Sequence, residues 1–266
     1  MSASFPPVVR SFATRHIGRR VLVYEVTDST NDRAAQLAAD PANAGVAVLA
    51  RSQTKGRGQH GRSWQSPPGQ SVLLSVLLFP PPALCRAALL TAWAAVAVGQ
   101  TIQRTIGLPA RIKWPNDLLL GGDKVCGILI ESRVPGWAGS EPAGPVVVGI
   151  GLNVNQSRPD FEQMGLPAAT SLAMAGGTDI DVDGVADQLL RQLDDEYARL
   201  AQGDFATLEA CWKGHIGLLG HSVTATCTDG TAFHGRLREM TFSGLELVQA
   251  DGSIRRVAPE AIRHLQ

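Results

Sequence analysis

Residues Arg111–Ser132 read RIKWPNDLLLGGDKVCGILIES. Arg111 to Lys113 can close a strand, and Pro115 breaks it, because proline cannot donate to a sheet ladder. Leu118–Leu120 and Val125–Glu131 are apolar runs joined by Gly121, Gly122 and Asp123, which is a hairpin signal. Upstream, SVLLSVLLF (Ser71–Phe79) is apolar at nearly every position, as expected of a central strand covered on both faces. VLVYEV (Val21–Val26), Val46–Ala50 and VVVGIGLNVN (Val146–Asn155) read as further strands, the last following a Pro/Gly-rich loop at residues 135–145. Helical patterns lie between them: Asn31–Ala39, Leu84–Thr105 with its stop at Gly107 and Pro109, and two more in residues 183–213 split near Gly203. Hairpin strands mixed with separate helices argue an α+β fold, with helices on one face of a mixed or antiparallel sheet.

After Trp212 the pattern changes to short alternating runs split at Asp229–Gly230, Ser243–Gly244 and Asp251–Gly252. Turn signals at that spacing suggest a small all-β barrel. The boundary falls near Gly217–Gly220, which divides the chain into a larger domain, 1–217, and a small C-terminal one, 218–266.

Composition excludes several classes. The 266 residues carry 24 basic and 24 acidic side chains, so the basic excess of a nucleic-acid binder is missing. Residues 1–20 show no helix–turn–helix pattern and no apolar core long enough for a signal peptide. Leu84–Ile106 approaches the length of a membrane span, but Arg86, Gln100, Gln103 and Arg104 interrupt it, and it reads as a buried helix. Cys85, Cys126, Cys211 and Cys227 form no CxxC pair, so disulfides and a zinc site are not expected and a cytoplasmic setting fits.

Chemistry collects at three places. RSQTKGRGQHGRSW (Arg51–Trp64) alternates Gly56, Gly58 and Gly61 with Arg57 and Arg62. Such a run suits neither helix nor strand. It reads as a loop whose N–H groups and guanidiniums meet an anion, or as a flexible surface loop with scattered arginines. TDSTND (Thr27–Asp32) offers Asp28, Ser29 and Thr30 as helix N-caps, or as polar groups facing a ligand beside a positive dipole end. KWPND places Lys113, Asn116 and Asp117 at a broken strand end, and Lys124 opens the apolar strand VCGILIE. Lys124 is either solvated at the sheet edge or functional. Gly127, with no bulge to explain it, marks a close approach by a ligand or another backbone. His60 has no carboxylate near it in sequence, and Cys126 reads as a small core residue. Two lysines, two arginines and a glycine-rich loop suit adenylation of a carboxylate, where charge grows on phosphoryl oxygens as pyrophosphate leaves and Mg2+ shields them.

GRGQHGRSW, KWPND, Lys124 with GILIE after it, and GIGLNVN (Gly149–Asn155) stand in the order and spacing of the biotin–protein ligases, and the chain resembles that family from about Tyr24 to its end. The resemblance implies a catalytic domain like that of class II aminoacyl-tRNA synthetases followed by an SH3-like barrel. It implies that biotin and ATP give biotinyl-5′-AMP, and that the biotinyl group passes to one lysine of a biotin carboxyl carrier domain. By the same resemblance Ser29, Thr30 and Asn31 contact the biotin ureido ring and Gln53 binds biotin. Arg57 and Gly58 close over biotin and the acyl phosphate, and Trp64 packs near adenine. Lys113 and Asp117 act in ATP handling and catalysis, Lys124 faces the biotin carboxylate and α-phosphate, and Asn153 lies beside the adenosine pocket. Gln59, Asn116, Gly127, Gly149 and Gly151 complete the expected binding set. Many members carry an arginine where this chain has Gln59, which brings hydrogen bonding without charge. The nearest rival is a lipoate–protein ligase or octanoyltransferase of the same fold; a biotin-responsive regulatory binding protein is a rival of another class. The sequence leaves monomer and homodimer open.

Overall fold

A computed structural model describes residues 6–132 and 144–266. Most of the loop expected at 135–145 lies outside the described residues.

Eight strands form one mixed sheet: β1 (Val8–Arg10), β2 (Val21–Thr27), β3 (Ala47–Gln53), β4 (Ser71–Leu78), β5 (Arg111–Lys113), β6 (Asp117–Leu120), β7 (Asp123–Ser132) and β8 (Val146–Asn153). Their order is β1-β2-β3-β4-β8-β7-β6-β5, with β2 and β3 parallel and every other neighbour antiparallel. The apolar run at β4 is indeed central, and all eight of its residues are buried. Strand β1, an edge strand that the sequence pattern does not announce, pairs with β2.

The helices are α1 (Thr30–Gln36), α2 (Ala87–Ile106), α3 (Arg158–Gln163), α4 (Leu172–Gly176), α5 (Val182–Ala201) and α6 (Phe205–Ile216). The Ala-rich helix α2 is buried along most of its length. With α5 it packs on one face of the sheet, and α6 packs on both α2 and β5. No helix among the described residues is long and apolar enough to cross a membrane. Helices do not all lie on one face, as the sequence suggested. Helix α1 packs on the other face, where Ala34 meets Val48, Leu77 and Val147.

Strand alternation makes that second face special. Side chains on a strand point alternately to its two sides. On β8, Val146, Val148, Ile150 and Leu152 enter the large core beneath α2, which leaves Val147, Gly149, Gly151 and Asn153 on the α1 side. Helix α1 is only seven residues long and covers part of this face. The remainder is sheet floored by glycine.

The C-terminal residues form a separate antiparallel sheet, β12 (Ile254–Val257), β11 (Gly244–Val248), β10 (Ala232–Thr241), β9 (Ser222–Cys227) and β13 (Ile262–Leu265), in that spatial order. Its core joins the main one through Trp114, Trp212 and Phe242, whose rings follow one another at 5.8 and 5.1 Å. Trp114 Nε1 donates to the Ile262 carbonyl at 2.8 Å. The bend of KWPND is therefore tied to the C-terminal sheet.

Candidate active site

The bare part of the α1 face carries a cleft of about 500 Å3, the solvent at its mouth included. Its floor explains the three strand glycines. A Cβ on Gly151 would sit 2.4 Å from Trp64 Cε2, one on Gly127 3.0 Å from Trp64 Cζ3, and one on Gly149 2.3 Å from Asn31 Oδ1. The close approach expected at Gly127 is thus made by side chains, the Trp64 indole above all. Trp64 Nε1 is buried without a hydrogen-bond partner. A buried donor left unpaired is costly, so it is a natural point for a ligand acceptor.

One wall is neutral and polar. Ser29, Thr30 and Asn31 are buried, each at or below 5 % exposure, although their residue types are usually solvated. Ser29 stands at the N-cap of α1, yet its side chain makes no capping hydrogen bond and lines the cleft instead. Gln53 Oε1 accepts from Thr30 N at 2.7 Å and from Thr30 Oγ1 at 3.0 Å. This leaves the Gln53 amide nitrogen as the group available to donate. Ser75, which was not singled out in the sequence, bridges Thr30 Oγ1 at 2.7 Å and Asn31 Oδ1 at 2.5 Å. Asn31 Nδ2 donates to Glu131 Oε2 at 2.7 Å.

The other wall is cationic. Arg57 lies in the glycine-rich segment, which is a short hairpin-like loop: Arg57 bridges Ser63, Gly58 N donates to Arg62 O at 2.7 Å, and Trp64 N to Gly56 O at 2.9 Å. The first residues of RSQTKGRGQHGRSW, Arg51–Gln53, are not loop but the end of β3, paired with β2. Arg57 donates to both Asp32 oxygens, at 2.7 and 2.8 Å, and to Glu131 Oε2 at 3.1 Å. Hydrogen bonding to Asp32, opposed by partial burial and reinforced by Glu131, holds its guanidinium above its ordinary range. His60 is exposed at the loop's tip with a left-handed backbone, φ 57°.

Lys124 reaches the cleft through an irregularity. On β7 the register slips at Val125, between the pairs Leu118–Cys126 and Leu119–Lys124. Strict alternation would put Lys124 beneath the sheet with Cys126 and Ile128, both in the large core. The extra residue turns Lys124 over to the side of Gly127, as β-bulges do. Its Nζ lies 2.6 Å from Asp117 Oδ1 and 5.8 Å from the Trp64 ring centroid. The residue's backbone is also held, with Lys124 N donating to Ala168 O and Thr170 N to Lys124 O, each at 2.9 Å. The edge-lysine reading fails on this geometry. Cys126 is fully buried, and burial pushes its thiol up, away from any nucleophilic thiolate.

The remaining candidates divide. Gly58, Gln59 and Asn116 line the cleft with Arg57 and Lys124. Asn116 also stitches the KWPND bend to β7, donating to Ile128 O at 2.7 Å and accepting from Ile128 N at 2.9 Å. Asp117 touches the site through Lys124. Lys113 is exposed at the end of β5, opposite Asp117 across the turn, and Asn153 is buried, donating to Thr170 O at 3.0 Å; neither lines the cleft. Glu131 and Asp32 were missed as partners of Arg57. A signal existed for Glu131: it alternates with Gly127 and Leu129 on the open face of β7, where an acid needs a partner.

Residues 23–153 match the Biotin/lipoate A/B protein ligase family. Over 244 residues the chain is 37 % identical to the biotin–[acetyl-CoA-carboxylase] ligase of Paracoccus denitrificans, covering 88 % of this chain and 96 % of that one. It is 34 % identical over 244 residues to the bifunctional ligase/repressor BirA of Bacillus subtilis, covering 92 % and 74 %. Among solved structures, the biotin protein ligase from Aquifex aeolicus in complex with biotin and ATP superposes with a TM-score of 0.75 at 25 % identity, covering 92 % of this chain and 98 % of the other.

Proposed function

This chain belongs to the biotin–protein ligases, and from that premise we propose how its residues divide the work. It is an ATP-dependent ligase that activates biotin as biotinyl-5′-AMP and transfers the biotinyl group to a protein lysine. In the first step a biotin carboxylate oxygen attacks the α-phosphorus of ATP, and the bond to the leaving pyrophosphate breaks. In the second, a lysine amine attacks the acyl carbon, AMP leaves, and the nitrogen loses a proton. We take the acceptor to be the biotin carboxyl carrier domain of an acetyl-CoA-carboxylase-type enzyme. Four free cysteines support a reducing, cytoplasmic setting.

The observation that carries the assignment of roles is the two-walled cleft on a glycine floor. The neutral wall, with Asn31 and Gln53 as its amides, suits a ring of urea type, which both donates and accepts. The cationic wall suits the carboxylate and the phosphoryl group. Lys124 is the residue best supported as the cation at the α-phosphate, because the bulge turns it into the cleft. Fixed donors of this kind stabilise charge as it develops. Its partner Asp117 is freed whenever Lys124 turns to phosphate, which supports Asp117 as an aid to deprotonating the acceptor amine. Trp64, with an unpaired indole N–H over the glycines, supports an adenine-side contact. Lys113 and Asn153 are kept as outer contributors on the family resemblance alone. Mg2+ neutralises leaving phosphates when bound.

The test is to incubate the protein with ATP, Mg2+ and an apo carrier domain, offering biotin or lipoate in parallel. A biotinyl mass on the carrier lysine is expected. A lipoyl mass, or none, would overturn the assignment.

A further inference from the structure

The two walls of the cleft are not independent. A continuous chain of hydrogen bonds runs Gln53–Thr30–Ser75–Asn31–Glu131–Arg57, its first link the backbone N–H of Thr30, and the Glu131 carboxylate is one of two that tie the neutral wall to the loop, the other being Asp32 on α1. Glu131 Oε2 accepts from Asn31 Nδ2 at 2.7 Å and from Arg57 Nη2 at 3.1 Å. It borders the hollow on the outer side of the loop and does not line the cleft, so it is placed to hold other groups and not to touch the ligand. We propose that Glu131 is a positioning residue that, beside Asp32, joins helix α1 to the glycine-rich loop, orienting the Asn31 amide and sharing with Asp32 the docking of Arg57. The proposal rests on the ligase reading for the identity of the ligand.

Three physical points support it. Asn31 is 95 % buried and its oxygen is engaged by Ser75, so the amide can present only one orientation while Glu131 accepts from its nitrogen. Removing the carboxylate leaves a buried N–H without a partner, and the amide is then free to turn. Second, an exposed ion pair alone contributes little, but the Arg57 fork here engages two carboxylates on different elements, the network geometry that is the exception. Third, Asp32 and Glu131 together outnumber the charge of Arg57. An incoming anion therefore meets a guanidinium already held in place, and its role is geometric before it is one of net charge.

The two arms of Glu131 can be separated by substitution. Glu131→Ala removes both. Glu131→Gln keeps an oxygen at the Oε2 position for Asn31, but it is neutral and places an N–H where Oε1 lies 3.4 Å from Arg57 Nη2, so the Asn31 arm is restored while the Arg57 arm stays weakened. Biotin affinity is read by calorimetry, and loop docking by hydrogen exchange of the Gly58 and Trp64 amides in the ligand-free protein. In Glu131→Ala, biotin Kd is expected to rise about tenfold and both amides to exchange at least tenfold faster. In Glu131→Gln, affinity should recover to within about threefold of wild type while exchange stays fast. An Ala variant that melts like wild type and leaves either readout unchanged overturns the proposal, as does a Gln variant that behaves like wild type in both. A wild-type protein that neither binds biotin nor modifies the carrier would instead refute the ligase reading, and the exchange measurement would still judge the docking.

Discussion

Gly151→Ala tests whether the glycine floor is a requirement of packing. The added Cβ would lie 2.4 Å from Trp64 Cε2 and 2.6 Å from Cζ2, against an ordinary contact of at least 3.4 Å. The indole must retreat by about 1 Å. It is rigid, and its backbone is pinned to Gly56 on one side of the loop, so the displacement is passed into the segment that carries Arg57. Overpacking of this kind costs about 1–3 kcal/mol, which for a chain of this size lowers Tm by several degrees. The larger effect is on chemistry, because a shift near 1 Å in a reacting constellation can reduce rate about a hundredfold. Pyrophosphate release with saturating biotin and ATP, beside a thermal melt followed by circular dichroism, measures both. Trp64→Ala supplies the control, since without the indole the extra methyl meets nothing so close. The stability cost of Gly151→Ala should then fall by more than half in that background. A folded Gly151→Ala protein with a rate within threefold of wild type, or the same stability cost in both backgrounds, would refute the reasoning.

Lys124→Ala should reduce pyrophosphate release by a factor of about 10²–10³ or more while leaving the melt nearly unchanged; wild-type adenylation would remove Lys124 from its role. Asp117→Asn should slow transfer from preformed biotinyl-AMP to the carrier in a single-turnover assay, and a variant slowed only in adenylation would count against Asp117 in the second step. Gln59→Arg should slow release of biotinyl-AMP, measured by trapping the free intermediate, because a charged donor is added where the loop has a neutral one; equal off-rates would contradict it. Asp194→Ala should lower the urea midpoint by an amount equivalent to about 3 kcal/mol. Its carboxylate accepts from the backbone N–H groups of Arg15, His16 and Ile17 at 2.8, 2.6 and 2.8 Å, and removing it leaves them unpaired. A change below about 1 kcal/mol would mean water replaces it freely.

Much of the architecture was legible in the residues. Strong apolar runs set β4 and α2, the Gly121–Gly122 hairpin set β6 and β7, and turn signals set the C-terminal strands. Thirteen of the candidate binding residues line one cleft, because motifs with Gly, Arg and Lys in register carry their own chemistry. Edge strand β1 was not legible. Its three residues contribute too little periodicity, and their place depends on β2 and on the anchoring of the chain behind them by Asp194.

What the sequence determined by itself was composition along each element: where glycine, cation and apolar run fall. It also carried the family resemblance. Tertiary structure decided which of those groups meet. The bulge at Val125 reverses the face on which Lys124 emerges, and no local propensity marks it, since Val125 is as apolar as its neighbours. The partnership of Glu131 with Asn31 and Arg57 spans 100 and 74 residues of chain, and hydrogen-bond partners at that separation are chosen by how the strands are ordered in the sheet.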